Sequence, residues 1–328
     1  MFRRRLMSFL DACPVAFGWL TTLTLQNLCF AQADVARLLG SCTRMKELSL
    51  SHCSFGIAGC SSIVEIDVPQ SWLEVLEIRF CCFRRVELID APKLRRFHCD
   101  TWYGNDPPVQ FGHVPRLRNI TLACNVHGSN KTFALSNFMS SAAAANLSTL
   151  DLDFRDGKIW IQPEEPIKLP FANLRDVYLY NIFDICHLNW TLFVLEAAPS
   201  LKNLYIMLSR HLCGRNRFSA NPLVDNVEWR ESDFEHHSLQ LLEIVGFAEG
   251  YLLEEYIRVV MEHAVCLKRI RLLEQDLCSG CGFEPSRRLI YRSQHTDRWA
   301  YPSTESEKDE TRSILLERSS SPVKIVIG

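Results

Sequence analysis

Two cysteines three residues apart, Cys278-Ser-Gly-Cys281, have the spacing that could hold zinc or cycle through a disulfide. A structural zinc site needs four ligands, usually from two such pairs. Cys81-Cys82 has the wrong spacing, and the sequence contains no second Cys-x-x-Cys. A redox pair belongs at a helix start in a thioredoxin-like unit, whereas this one follows the last strand of the pattern described below. A loop turned at Gly280 and Gly282 explains the pair without chemistry, and a thiol or zinc enzyme using Cys278 and Cys281 stands as the alternative. His236-His237 reads as a solvated loop doublet, and no His-Glu-x-x-His pair occurs. Glu164-Glu165 reads as loop charge and Glu254-Glu255 as a helix first turn, where the dipole favours acids. The chain holds no Gly-x-Ser-x-Gly, P-loop or Gly-x-Gly-x-x-Gly, motifs that would carry nucleophilic or phosphate chemistry. The expectation is a protein without catalytic activity, metal or cofactor.

Recognition chemistry is better represented. Asp151, Asp153 and Asp176 stand near Tyr178, Tyr180 and Tyr205 at alternating positions of strand-like segments. Tyrosine offers a large apolar area with a polar tip and is enriched at interfaces. These six residues form the predicted partner-binding strip, suited to a basic or mixed segment of another protein. The alternative is that they are ordinary polar strand residues, since tyrosine is also a good strand former.

The elements that position them recur. Met45-Lys-Glu-Leu48-Ser-Leu50-Ser-His-Cys53 and Leu73-Glu-Val-Leu76-Glu-Ile78-Arg-Phe-Cys81 both fit the pattern L-x-x-L-x-L-x-x-C, with Met in the first Leu place of one. The same apolar triplet starts at residues 20, 45, 73, 94, 117, 147, 174, 201, 239 and 267. Most gaps lie in or near the roughly 20–29 residues of a leucine-rich repeat, with one insertion between 206 and 239. Within each L-x-L the apolar residues point to one face and the residues between them to the other. A single repeat cannot bury its apolar face alone, so neighbours stack into a continuous core. The predicted fold is therefore α/β: a leucine-rich-repeat solenoid, an irregular horseshoe of parallel strands with convex helices. Glu47, Ser49, Ser51, Glu77, Arg79, Arg96, His98, Asp100, Asn119, Thr121 and Thr149 extend the predicted concave face, as do Asn203 and Met207.

Helices are predicted where apolar residues follow i, i+3, i+4, i+7: Val35, Leu38, Leu39 and Cys42, then Ile257, Val260, Met261 and Ala264. Leu6, Phe9, Leu10 and Cys13 share that spacing and stop at Pro14, which suggests an N-terminal cap over residues 1–18. Near the other end, Thr304-x-x-Glu307 fits a capping box opening a helix toward Leu316. Val323, Ile325 and Ile327 then alternate as a final strand. This tail either docks on the last repeat or forms a loose arm.

The chain has 328 residues, 47% of them hydrophobic, with a formal net charge of −2. That is enough apolar material for a large core and leaves no basic excess for a phosphate backbone, so nucleic acid is not expected. The fourteen cysteines read mostly as small core hydrophobes. Met1-Phe2-Arg3-Arg4-Arg5 and the apolar run after it are broken by Asp11 and Pro14, unlike a signal peptide. No stretch approaches the ~20 apolar residues of a membrane span. The sequons at Asn119, Asn130, Asn146 and Asn189 accordingly read as chance, and the expected location is intracellular, cytoplasmic or nuclear.

From Trp229 the chain reads Trp-Arg-Glu-Ser-Asp-Phe-Glu-His-His, then a strand ending at Gly246-Phe247. A helix with Glu254-Glu-Tyr-Ile-Arg-Val-Val-Met261 and a closing Leu267-Lys-Arg-Ile-Arg-Leu272 follow. This resembles the FBD region of plant F-box/LRR proteins. Cys278-Ser-Gly-Cys281, Tyr301-Pro-Ser-Thr-Glu and the run from Met7 to Cys53 are also similar to members of that family. The resemblance implies a repeat region over 1–218, an FBD-like region over 219–284 continuing the solenoid, and a tail or cap over 285–328. It further implies substrate recognition for an SCF-type ubiquitin ligase, whose F-box docks a Skp-type adaptor and cullin. The chain begins at the segment that follows the F-box in that family, so the resemblance covers the substrate-holding part. The rival expectation is a stand-alone binding or decoy protein with no ligase contact.

Overall fold

The structure is a computed structural model. It describes residues 2–31, 33–56, 61–100, 102, 107–123, 131–137, 139–154, 159–162, 171–183, 188–209, 234–275, 301–317 and 322–328. The chain divides into two compact units, one holding residues 1–126, 133–152 and 165–174 and the other holding 127–132, 153–164 and 175–328.

In the first unit the repeats form a ladder of parallel strands. In ladder order these are β1 (Thr22–Gln26), β3 (Glu47–Ser51), β6 (Val75–Arg79), β8 (Arg96–Cys99), β10 (Asn119–Ala123) and β12 (Thr149–Asp153). Equivalent repeat positions pair in register: Leu23 with Leu48, Leu48 with Leu76, Leu76 with Phe97, and Phe97 with Ile120. Leu48, Leu50, Leu76, Ile78, Phe97, Ile120 and Leu150 are buried, whereas Leu23 and Leu25 on β1 are only half-buried. The end strand has a neighbour on one side alone, which explains the difference.

The backing of this ladder changes with repeat length. Helix α3 (Asp34–Ser41) buries Val35, Leu38 and Leu39, with Cys42 buried just beyond it, as the helical spacing predicts. Two short strands, β2 (Cys29–Phe30) and β4 (Ser54–Phe55), pair and stack Phe30 on Phe55. Between residues 63 and 113 the expected convex helices are replaced by a second parallel sheet. It consists of β5 (Ile63–Asp67), β7 (Arg85–Asp90) and β9 (Val109–His113). The triplets at 73, 94 and 117 are 21 and 23 residues apart, which leaves little room for a helix of several turns beside β7 and β9; β5 lies in the longer repeat before them and pairs with β7. The alternating Val64/Ile66, Val86/Leu88 and Val109/Phe111 are buried instead. Where the repeat lengthens, α4 (Ser141–Asn146) returns, with the Ser140 Oγ accepting from Ala143 N.

At the N-terminus α1 (Phe2–Ala12) ends before Pro14, which opens α2 (Pro14–Gly18). Of the predicted stripe Leu10 is buried, Leu6 and Cys13 are half-buried, and Phe9 is 56% exposed and meets Phe17 edge-on; Met7 and Phe17 complete the inward side.

In the second unit the ladder order is β14 (Asp176–Phe183), β15 (Asn203–Ser209), β16 (Leu241–Val245), β17 (Arg269–Leu273) and β18 (Lys324–Ile327), all parallel. Two further short strands, β11 (Lys131–Phe133) and β13 (Ile159–Ile161), lie outside both ladders. Val177, Leu204, Leu242, Ile270 and Ile325 share one buried row. Behind them α5 (Leu192–Ala197) is buried at five of its six residues. Next comes α6 (Tyr251–His263), which buries Ile257, Val260 and Met261, with Ala264 just after it. The Tyr256 hydroxyl and Thr191 Oγ1 share a buried hydrogen bond of 2.7 Å. The last helix, α7 (Glu305–Leu316), opens with the Thr304/Glu307 capping box and packs on α6, where Arg258 Nη2 donates to the Ile314 carbonyl; Thr311 Oγ1 donates to Glu249 Oε1 just before α6. Strand β18 pairs with β17, so the described end of the tail is docked.

Candidate functional site

Alternation along β14 to β17 sends every second side chain to the face opposite the core, and parallel register lines these side chains up in rows. One row runs Asp176, Asn203, Leu241, Arg269 and Lys324; the next runs Tyr178, Tyr205, Glu243 and Arg271. Met207, Val245 and Leu273 lie beyond them, again in register.

Tyr178 and Tyr205 stack in parallel with ring centroids 4.4 Å apart and 2° between planes, and Tyr180 lies 6.0 Å from Tyr178 at 18°. Stacking at this distance follows from the ladder, because neighbouring strands are about 4.8 Å apart. Burial first, then the negative charge that Tyr205 and Asp176 would add, pushes the Tyr178 phenol up to about 12. It therefore remains a neutral hydrogen-bond donor through the physiological range.

The acids beside this stack are held by neighbours. Asp176 Oδ1 accepts from Asn203 Nδ2 at 2.6 Å, and Asp153 Oδ1 accepts from Asn181 Nδ2 at 2.8 Å. Asn181 sits at φ +55°, a left-handed conformation that asparagine tolerates. Glu243 is paired by Arg271 Nη1. A shallow pocket is lined by Tyr178, Tyr180, Tyr205, Ile206, Met207, Glu243 and Val245. Its aromatic, thioether and aliphatic walls suit a long side chain, with a carboxylate and phenols at hand for a polar head.

Of the predicted strip, the second unit brings together Asp176, Tyr178, Tyr180 and Tyr205, with Asp153 joined to Asn181 on β14. Asp151 lies half-buried on β12 of the first unit. Glu243, Arg271 and Val245 belong to the same face and were missed, although their places between Leu242, Ile244, Ile270 and Leu272 are legible in the repeat itself. On the first unit's ladder, Asp100 is not a solvent-facing residue. It is buried, and its Oδ1 accepts from Phe80 N at 2.6 Å, anchoring a left-handed turn at φ +50°.

The other chemically interesting residues separate in the structure. His236, expected in a solvated loop, is 2% exposed. Its Nδ1 accepts from Ser238 N and Leu239 N, and its Nε2 donates to the Ala198 carbonyl at 3.0 Å. These three bonds let it terminate backbone that would otherwise be buried without partners. His237 is exposed and lies near Glu235. Glu254 Oε1 accepts from Gly250 N at the start of α6, and Glu255 pairs with Arg258. Cys42, Cys53, Cys81 and Cys99 are buried free thiols, and burial raises Cys42 to about 11; Cys82 is in a disulfide. Cys278, Cys281, Trp229, Glu164 and Glu165 lie outside the described residues. Among the described residues, no group of three or more His, Cys, Asp or Glu is placed to hold a metal ion, and no helix is long and apolar enough to cross a membrane.

A family described as At1g61320/AtMIF1, LRR domain, matches residues 14–297. No curated protein matches the chain.

Proposed function

Because the chain belongs to that leucine-rich-repeat domain family, we propose that it is a non-catalytic protein-binding module whose partner sits on the tyrosine-lined face of the second unit. The observation that carries this reading is the prestacked Tyr178–Tyr205 pair beside Tyr180 and Met207. Rigid aromatic surface with few rotatable bonds loses little entropy on binding and makes an effective anchor. The carboxylates of Asp176 and Glu243 favour a basic or mixed segment in the partner, and Asp153 extends the proposed strip.

A finer reading makes this face the substrate-holding surface of an SCF-type ubiquitin ligase subunit. Its support is the resemblance of Trp229 to Leu272 to FBD regions; that reading also places the protein in the cytoplasm or nucleus. Both are tested by one experiment: purification of the tagged chain from plant cells, wild type beside a Tyr178→Ala/Tyr205→Ala double variant. The expected result is a set of proteins lost with the double variant while its melting is unchanged. Equal capture by both would remove the tyrosine face from the argument. Skp-type adaptor and cullin in the wild-type eluate support the ligase reading, and their absence beside Tyr178-dependent proteins supports a free-standing binder.

A further inference from the structure

The strand-entry edge of the first unit carries a second feature, independent of the tyrosine face. Just before each strand, one backbone carbonyl accepts two N–H groups from the next repeat. Arg95 and Arg96 N donate to the Glu74 carbonyl, and Arg118 and Asn119 N donate to that of Arg95. Glu74, Arg95 and Arg118 are thereby set side by side on successive repeats. Lys93 and Arg116 lie two residues earlier in their repeats, and Arg96 takes the first strand position of β8.

Five cations thus crowd two adjacent repeats, in a chain whose formal net charge is −2. Arg95, Arg96, Arg116 and Arg118 are exposed. The nearest carboxylate, Glu74, reaches Arg95 only at 3.9 Å. Arg96, Arg116 and Arg118 make no ion pair with any described residue. Lys93 sits 3.2 Å over the ring of Trp72, which remains 51% exposed. Packing so many like charges together costs repulsion, which Glu74 and the Trp72 ring offset only at Arg95 and Lys93. On the following repeat the corresponding residues, Asn146, Ser148 and Thr149, are uncharged.

We propose that this ledge, formed by Lys93, Arg95, Arg96, Arg116 and Arg118, docks an acidic segment of a protein partner. Four of the five cations are arginines, whose planar fork matches carboxylates in two-point contact. Two repeats at about 5 Å each span three or four residues of an extended chain at about 3.3 Å each. A short acidic stretch therefore matches the ledge in length, and an apolar neighbour in it can lie against Trp72. A nucleic-acid strand fits less well, because Glu74 stands in the row and the positive track ends at the next repeat.

The test uses the full chain and a fluorescein-labelled Glu-rich peptide carrying one Leu, read by fluorescence anisotropy. Arg95→Glu with Arg118→Glu should weaken binding by about tenfold or more, and wild-type affinity should fall with added salt more steeply than the variant's. Arg96→Gln with Arg116→Gln, a milder change at exposed sites, should weaken it about threefold with an unchanged melting temperature. Tyr178→Ala should bind the peptide as wild type does. Equal affinity of wild type and both ledge variants would overturn the proposal, and so would tighter binding of an oligothymidylate of matching length.

Discussion

Gly246 ends β16 at φ +81°, and a Cβ placed on it would stand 2.6 Å from the Leu208 carbonyl oxygen and 3.3 Å from the Leu208 Cβ. Two separate costs should follow from Gly246→Ala. Forcing an alanine into the left-handed region costs about 1–2 kcal/mol. Moving β15 and β16 apart to clear the contact adds about 1–3 kcal/mol, as for other overpacked sites. The total is about 2–5 kcal/mol, roughly a thirtyfold to several-thousandfold loss in the folding equilibrium of the second unit. The two parts can be separated, because the same turn position, two residues after the third apolar residue, is left-handed in other repeats. Asn27, His52, Phe80 and Asn181 occupy it with φ between 50° and 56°. Left-handed strain alone is therefore tolerated there. Gly246→Asn relieves part of the strain but keeps the contact, so it should still cost about 1–3 kcal/mol. Asn27→Gly, at an exposed site, should stay within about 1 kcal/mol of wild type. Urea denaturation followed by far-ultraviolet circular dichroism measures all three. A Gly246→Asn protein as stable as wild type would show that the Leu208 contact does not matter, and the reasoning would fail.

Three more expectations can be measured alongside. Leu150→Asp places a charge in a fully buried row of the first unit, at a cost of several kcal/mol shared with neighbouring repeats; unchanged melting would count against repeat stacking. Burial holds His236 below its ordinary value of 6.5, so the unfolded chain binds the proton more readily. Stability contributed by the neutral imidazole should be full above about pH 6.5 and decline as pH falls below it. His236→Gln should flatten that decline and His237→Gln should not; the reverse ranking would refute the assignment. Thr304→Ala removes the side-chain half of the capping box and should cost about 1 kcal/mol, read as faster amide exchange in α7, with unchanged exchange arguing that packing on α6 alone holds the helix.

All ten apolar triplets became strands of the two ladders, because each positions two or three side chains on one face and needs no information from elsewhere in the chain. The helices at Val35–Cys42 and Ile257–Ala264 were legible for the same local reason. The capping box at Thr304 was too, since its partners are three residues apart. The residues of the tyrosine face were legible as positions. Their stacking was not, because ring geometry depends on strand spacing and register between repeats.

What sequence alone could not decide lies wherever a side chain's partner comes from a distant segment. His236 looks like half of an exposed doublet until the Ala198 carbonyl, 38 residues away, meets its ring. Asp100 looks like a concave-face acid until the Phe80 amide, 20 residues away, claims its carboxylate. The β5–β7–β9 sheet replaces helices because three linkers lie side by side and pair with one another, a choice none of them makes alone. The basic ledge likewise exists only once parallel register sets Arg95 beside Arg118. Local periodicity determines which face each residue takes, whereas charge density, hydrogen-bond satisfaction and ring stacking depend on neighbours that only the folded chain supplies.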